Sequence, residues 1–324
     1  MNKMFDILVI GDLILDNLIY LESLPQPEGV YMAYEFKKLA GGAANFAIMA
    51  SRLGLKVGVI DCVGYDEAGK FLITTLSQEG VDTSLIKVRG GKTKETLVLF
   101  TRKGEKSFIG LLTKETSTLT PEDIEEQDIQ KTNGIYISGY SIGIEELSGE
   151  GMAALKSIDI AQSLGKYVFF DPGPVVAFID STCLHDILRK TTILSLNIHE
   201  ASIVTHLSDP VQAIEALHAF GPKIIAVKMG EKGCVVSVEG RIFKAPPIEV
   251  KVVDPTGAGD AFNAGLLFGL LKDLSLEQIA TLANAIGALS VTKIGAGQNL
   301  PTKIELSSFL EKVGEIRLSE LLKN

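Results

Sequence analysis

The sequence has no tryptophan, four histidines and three cysteines. The missing tryptophan says nothing about function. His185, His199, His206 and His218 show no metal-ligand spacing, so no histidine-built metal centre is expected. Cys62, Cys183 and Cys234 are odd in number and widely spaced, which excludes a disulfide framework and a paired-cysteine zinc site. Each lies in or after an apolar run and reads as a buried thiol, which fits a reducing, cytoplasmic compartment. No apolar run reaches 18 residues, so no membrane span is expected. Asp6, Asp12 and Asp16 interrupt the apolar start, and no small-residue cleavage site follows, so no secretory leader is expected. Positive charge is also in short supply. The 31 Lys and Arg against 40 Asp and Glu leave a net charge of −9, which argues against a general nucleic-acid binder. A phosphate ligand stays open, because it needs only a few local N–H groups or cations.

What is present is ordinary globular material. The 324 residues are 46% hydrophobic and 22% charged, enough for two domains or one large α/β domain with an insertion. Short apolar runs predict strands at Ile7–Ile10, Val57–Val63, Ile135–Ser138, Tyr167–Asp171, Ile193–Asn197 and Ile224–Lys228. Helical patterns separate most of them, at Ala43–Leu53 and Lys70–Glu79 among others, each closed by a glycine. Thr120-Pro121 predicts a further helix start. Buried-type strands alternating with helices indicate a parallel sheet covered on both faces. Two hairpins are expected, one joining Thr96–Thr101 to Lys106–Leu111 and one joining Cys234–Val238 to Arg241–Lys244. Ser275 with Gln278 and Thr302 with Glu305 fit capping boxes, so the C-terminal third should be mainly helical.

Residues 14–38 and 92–111 break the strand–helix rhythm. Both stretches are β-leaning. They read either as a small inserted sheet able to cover a site or as an edge of the main sheet. The first reading gives a core of residues 1–13, 39–91 and 112–324 with a β lid of 14–38 and 92–111.

Ligands of open parallel sheets bind beyond the carboxyl ends of the strands. Asp12, Asp16, Gly139, Asp171, Asn197 and Gly230 are predicted there. The most informative segment is Val252-Val253-Asp254-Pro255-Thr256-Gly257-Ala258-Gly259-Asp260, followed by an apolar helix. A strand is expected to run into this glycine-rich loop. The helix must be buried, and its first N–H groups lack partners, so with Gly257 and Gly259 they suit an anion such as phosphate. Asp260 stands at the mouth of that anion site. It is either a helix cap or a base that takes the proton of an attacking hydroxyl. The loop is not a Walker A motif, and no Gly-x-Gly-x-x-Gly follows the first strand.

DPTGAGDAFNAGLL, residues 254–267, resembles the C-terminal signature of ribokinase-like sugar kinases, the phosphofructokinase B type family. AGGAANFAIMASRLG, residues 40–54, resembles the N-terminal signature. NIHEA matches the family's Asn-x-x-Glu, and VKMGEKGC matches its Gly-x-x-Gly nucleotide loop. The matches are collinear over essentially the whole chain.

The resemblance implies an α/β, ribokinase-like three-layer sandwich with a mainly parallel central sheet and a small β-sheet lid. It also implies ATP-dependent phosphorylation of a sugar hydroxyl. In that pattern Asp260 is the base, and Gly257, Ala258 and Gly259 form the anion hole. Asn197 and Glu200 act on Mg²⁺ and phosphates through water. Asp16, Gly41, Gly42 and Asn45 fall on sugar-contact positions, with Asp12 as a second carboxylate. Lys228, Gly230, Gly233 and Asn284 fall on the nucleotide side. A monovalent cation (K⁺) beside the anion loop and a homodimer through the lid also follow from the resemblance.

There are departures. Lys228 stands where Thr is common, Gly173 replaces Asn in Asp171-Pro172-Gly173-Pro174, and the lid hairpin lacks a tyrosine–arginine cluster, which counts against a 2-keto-3-deoxygluconate acceptor. Alternatives are a nucleoside kinase of the same fold and, in a different class, a non-catalytic nucleotide-binding regulatory protein.

Overall fold

The computed structural model describes residues 4–111, 113–143 and 149–323. Residues 1–3, 112, 144–148 and 324, which the expected core spans, lie outside the described residues. Strands are β1 (Ile7–Ile10), β2 (Leu13–Leu21), β3 (Glu35–Gly42), β4 (Val57–Ile60), β5 (Cys62–Gly64), β6 (Lys87–Arg89), β7 (Glu95–Thr101), β8 (Lys106–Leu111), β9 (Gly134–Ser138), β10 (Tyr167–Asp171), β11 (Ile193–Asn197), β12 (Ile224–Lys228), β13 (Cys234–Val238) and β14 (Arg241–Ala245). Eight of them form one sheet in the order β14-β13-β12-β11-β10-β9-β1-β4. Pairing is parallel from β4 to β12, and the β13–β14 hairpin adds an antiparallel edge.

Alternate residues of each strand feed two separate cores, because side chains point to opposite faces with period two. Ile7, Val9, Tyr136 and Phe169 face one helical layer, which includes Ala44–Arg52, Ala258–Leu271 and Leu276–Ser290. Leu8, Ile10, Ile135 and Phe170 face the other, which includes Gly149–Ser163 and Ser181–Lys190. The result is a three-layer α/β sandwich. Ala258–Leu271 buries every residue from Ala261 to Gly269. So apolar a helix is stable only when covered all round, and it is wedged between Ala44–Arg52 and Leu276–Ser290.

A second, four-stranded sheet runs in the order β3-β2-β7-β8. It takes in Leu13 and residues 39–42 as well as the two β-leaning stretches. Leu18, Tyr20, Leu39, Val98 and Phe100 make its small core, against which Ile294 packs.

The structure departs from the sequence expectation in three places. Val57–Val63 is not one strand. Asp61 turns its carboxylate onto the N–H groups of Leu13 (2.7 Å) and Cys62 (2.7 Å), and the chain then switches from the main sheet to the β5–β6 pair. Val252-Val253 is not a strand either. Among the described residues no strand partner lies beside it, and it is held by N–H bonds from Val253 and Asp254 to the Val291 carbonyl at a helix end. The start at Thr120-Pro121 yields only the turn Pro121–Asp123, because Ile124 returns to extended backbone. Both C-terminal capping boxes are present.

Candidate active site

Parallel pairing puts the carboxyl ends of β1, β9, β10, β11 and β12 on one edge of the sheet. Register sets Asp171 beside Ser138 and Asn197 beside Lys228. Above this edge stands the N-terminus of Ala258–Leu271. Gly257 adopts φ +75° at the N-cap position, and no side chain caps the helix. The Gly259 and Asp260 N–H groups are therefore available to a ligand, together with about half a positive charge, while Ala258 N donates to the Pro255 carbonyl at 3.2 Å. Gly257 and the first-turn residues Ala258, Gly259 and Asp260 thus form this helix start.

Asp260 is partly buried at the centre of a hydrogen-bonded group. Asn45 Nδ2 donates to Oδ2 at 3.3 Å and the Tyr136 hydroxyl to Oδ1 at 3.3 Å. Asn263 Nδ2 reaches the Tyr136 oxygen (3.4 Å) and also donates to Asp171 Oδ2, which Lys228 Nζ approaches at 3.0 Å. Burial and the Asp171 carboxylate raise the pKa of Asp260 to about 7, against the opposing effect of Lys228, Asn45 and Tyr136. A carboxylate tuned near neutrality suits proton abstraction at physiological pH.

The residues expected on the acceptor side lie around the start of β2 and the end of β3. Asp12 lies between β1 and β2 in a left-handed conformation, φ +63°. A side chain on Gly42 would meet the Asp12 carbonyl at 2.0 Å, and one on Gly41 would meet Asp16 Oδ2 at 2.1 Å. The glycine pair is therefore what lets the two aspartates approach β3. Burial raises Asp16 to about 7. Asn45, in the first turn of Ala44–Arg52, joins this group to Asp260 and accepts from Gly297 N at 2.7 Å.

Asn197 and Glu200 form a reciprocal cap on Ile198–Thr205, with bonds of 2.6–2.9 Å between them. Glu200 is buried and feels both Asp171 and Lys228. His199 is exposed. Gly230 and Gly233 shape the tight turn before β13, where a Cβ on Gly233 would meet the Ala245 carbonyl at 2.3 Å. Asn284 donates to the Pro246 carbonyl at 2.8 Å and lines a cleft of about 630 Å³ with Phe243, Ala245, Pro247 and Gln278.

Sequence reading missed several groups. Tyr136 and Asn263 are one case; Asn263 is a lone amide in an apolar helix, which was a usable signal. A second is the buried set around Asp12. Glu150 Oε1 accepts from Asp12 N (2.9 Å) and Lys94 Nζ (2.7 Å). Burial raises Asp12 to about 8 and Asp61 to about 6, while Lys94 holds both down. A third is the Gly295-Ala296-Gly297 loop, which packs against Gly257 and bonds Asn45 and Asp254.

The chain is similar to known phosphotransferases. Residues 4–303 match the model of the pfkB family carbohydrate kinases. A fructokinase of Klebsiella pneumoniae is 32% identical, over 93% of this chain and 98% of its own. A ribokinase of Haemophilus influenzae is 29% identical, over 94% and 97%. An E. coli protein assigned as ribokinase II, solved in complex with ATP and Mg²⁺, superposes with a TM-score of 0.83 at 25% identity, over 96% of this chain and 100% of that one. A match over nearly the whole length, on a site with this arrangement of aspartate and helix N-terminus, makes the chain a member of the pfkB family of carbohydrate kinases, phosphotransferases with an alcohol group as acceptor.

Proposed function

We propose that the protein is a Mg·ATP-dependent sugar kinase in which Asp260 removes the proton of the acceptor hydroxyl. The observation that carries this reading is Asp260 itself, raised to about 7 at the mouth of an uncapped helix N-terminus. Asp260 takes the hydroxyl proton as that oxygen bonds to the terminal phosphorus. The bond from phosphorus to the bridging oxygen breaks, and the electron pair leaves with the nucleoside diphosphate. Gly257, Ala258 and Gly259 frame the place of the transferred phosphoryl oxygens, and the Gly257 and Gly259 N–H groups bond them, Ala258 N being given to the Pro255 carbonyl.

Asn197 and Glu200 fit Mg²⁺ through water. Their cap leaves carboxylate and amide lone pairs free, and Mg²⁺ keeps several of its waters. When bound, the metal neutralises phosphate charge. Lys228, whose Nζ lies 3.4 Å from a Cβ built on Gly259, places a cation next to the anion loop. The Asn284 cleft, with Gly233 against its Ala245–Pro246 wall, takes the nucleoside end, and Gly230 belongs to the same nucleotide-side turn.

Asp12, Asp16, Gly41, Gly42 and Asn45 bind the acceptor. Carboxylates and an amide suit adjacent hydroxyls. Lys94 is tied to Glu150, so this edge favours an uncharged polyol over a sugar acid. Residues 14–38 and 92–111 act as the lid that excludes water. Val30, Met32, Phe36, Phe108 and Ile109 on these segments are exposed, which supports a homodimer through the lid. Buried thiols at Cys62 and Cys234 suit a reducing cytoplasm. K⁺ is left out of this reading. The Asp254 carboxylate and Thr256 hydroxyl beside the anion loop already bond the Lys106 ammonium.

The test is ADP release with Mg·ATP across hexoses, pentoses, sugar acids, sugar phosphates and nucleosides. A neutral sugar should be the strongest acceptor, and Asp260→Asn should lower kcat about 10²–10⁴-fold with nucleotide affinity kept. Normal turnover in a folded Asp260→Asn protein would remove the base assignment. A nucleoside as best acceptor would move the reading to the other branch of the fold.

A further inference from the structure

Lys106 lies on β8 of the small sheet, 148 residues from Asp254 in sequence, yet its Nζ donates to Asp254 Oδ1 and, at 2.8 Å, to Thr256 Oγ1. Both partners belong to the segment that leads into the anion loop. Asp254 is 3% exposed and uses its other oxygen to accept from Gly295 N at 2.8 Å, while Thr256 N donates to Oδ1 at 2.8 Å. One carboxylate therefore knits together the start of the anion loop, the Gly295–Gly297 loop and the lid. Phe100 packs beside the ammonium, 5.6 Å from ring centre to Nζ. Despite burial, Lys106, Thr256 and the Gly295 N–H hold the Asp254 carboxyl below the usual carboxylate range. The pair is a charged, mutually neutralised unit.

A monovalent cation held by the same oxygens does not fit. It would set two positive charges against one carboxylate in a buried space, with the ammonium already taking the carboxylate and the hydroxyl. We infer that Lys106 is a positioning residue of the phosphoryl-transfer site: its ammonium supplies from the lid the fixed positive charge that orders the anion loop, and it makes the protein independent of K⁺. The inference rests on the kinase reading for its catalytic consequence, and on geometry alone for its effect on nucleotide binding. Lid and loop are also coupled, because movement of β8 away from the core breaks both Lys106 bonds and leaves the Asp254 carboxylate without its cation.

The test measures Mg·ATP affinity by calorimetry, and kcat on the best acceptor, in KCl and in tetramethylammonium chloride at equal ionic strength. The wild type should show the same values in both salts. Lys106→Ala should lose about tenfold or more in affinity and kcat in tetramethylammonium. K⁺ or methylammonium, small enough to enter between Asp254 and Thr256, should restore part of the loss. Adding Asp254→Asn should abolish that rescue, which a merely structural role of Lys106 would not produce. Thermal unfolding and circular dichroism establish that each variant is folded, and Lys106→Arg, which keeps the charge, should retain most of the affinity.

A wild type that needs K⁺ overturns the proposal. So does a Lys106→Ala protein with unchanged affinity in tetramethylammonium, or rescue that persists with Asp254→Asn. If no acceptor is phosphorylated, the kinase reading fails while the affinity measurements still decide the role of Lys106.

Discussion

The Tyr136 hydroxyl donates to Asp260 Oδ1 across 3.3 Å. Its ring is fixed by stacking on Phe46, with centroids 3.8 Å apart and planes 3° from parallel. Apolar packing thus fixes the ring, Asn263 Nδ2 also donates to the hydroxyl oxygen at 3.4 Å, and the hydroxyl stabilises the charged form of the carboxylate. Tyr136→Phe should keep the packing and lose the bond. The pKa of Asp260 then rises further above 7, and the acid limb of the kcat/KM profile moves to higher pH by about half to one unit. A profile that coincides with the wild type would show that this bond does not tune the base.

Asp171 and Lys228 act on Asp260 with opposite sign, the carboxylate raising and the ammonium lowering its pKa. Lys228→Met should therefore move the acid limb to higher pH and Asp171→Asn to lower pH. The double variant should lie between them, because the two groups are bonded to each other and their effects are coupled. Shifts of the same sign in both single variants would contradict the arrangement.

Gly41→Ala tests the acceptor side separately. Gly41 has ordinary backbone torsions, so the added methyl strains nothing by itself. It would, however, sit 2.1 Å from Asp16 Oδ2 and must displace that side chain. Acceptor KM should rise about tenfold or more while Mg·ATP affinity holds, since one misplaced carboxylate loses its bonds to substrate hydroxyls. Asp16→Ala should behave alike, and combining the two should add little. A loss in nucleotide affinity instead would place Asp16 elsewhere in the reaction.

Lys94→Met removes the cation that sits among Asp12, Asp61 and Glu150. Breaking such a buried set costs about 3–5 kcal/mol at pH 8. The folded-state pKa values of Asp12 and Asp61, about 8 and about 6, lie above the ordinary 3.8. Each carboxyl binds its proton more firmly in the folded protein, so its stabilising contribution is complete below about pH 4. It is lost as pH rises through the folded values. Without Lys94 those values rise further, and the deficit of the variant should be smaller at pH 5 than at pH 8. Urea unfolding at both pH values measures it, and an equal deficit would argue that the loss is one of packing alone.

Local chemistry was readable where the residues that make a feature are adjacent in the chain. The strand–helix alternation, the capping boxes at Ser275 and Thr302, and the glycine loop that opens a buried helix at Asp260 are of this kind. Each depends on backbone torsions, caps and apolar periodicity within a few residues. The strand expected at Val252-Val253 failed for the complementary reason. β-type residues become a strand only when a partner lies alongside, and here the neighbour is the end of a helix.

The sequence by itself determined the chain's alternating elements, the glycine-rich loop that opens a buried helix and the aspartate at its start, because these are short-range consequences of residue type. Only the tertiary structure decided that Tyr136 and Asn263 reach Asp260 and Asp171, that Lys94 sits among three carboxylates, and that Lys106 of the small sheet holds Asp254. Those contacts join residues dozens to more than a hundred positions apart. Strand order and register set them, and a buried charge takes its partner from whatever the fold brings within hydrogen-bond reach.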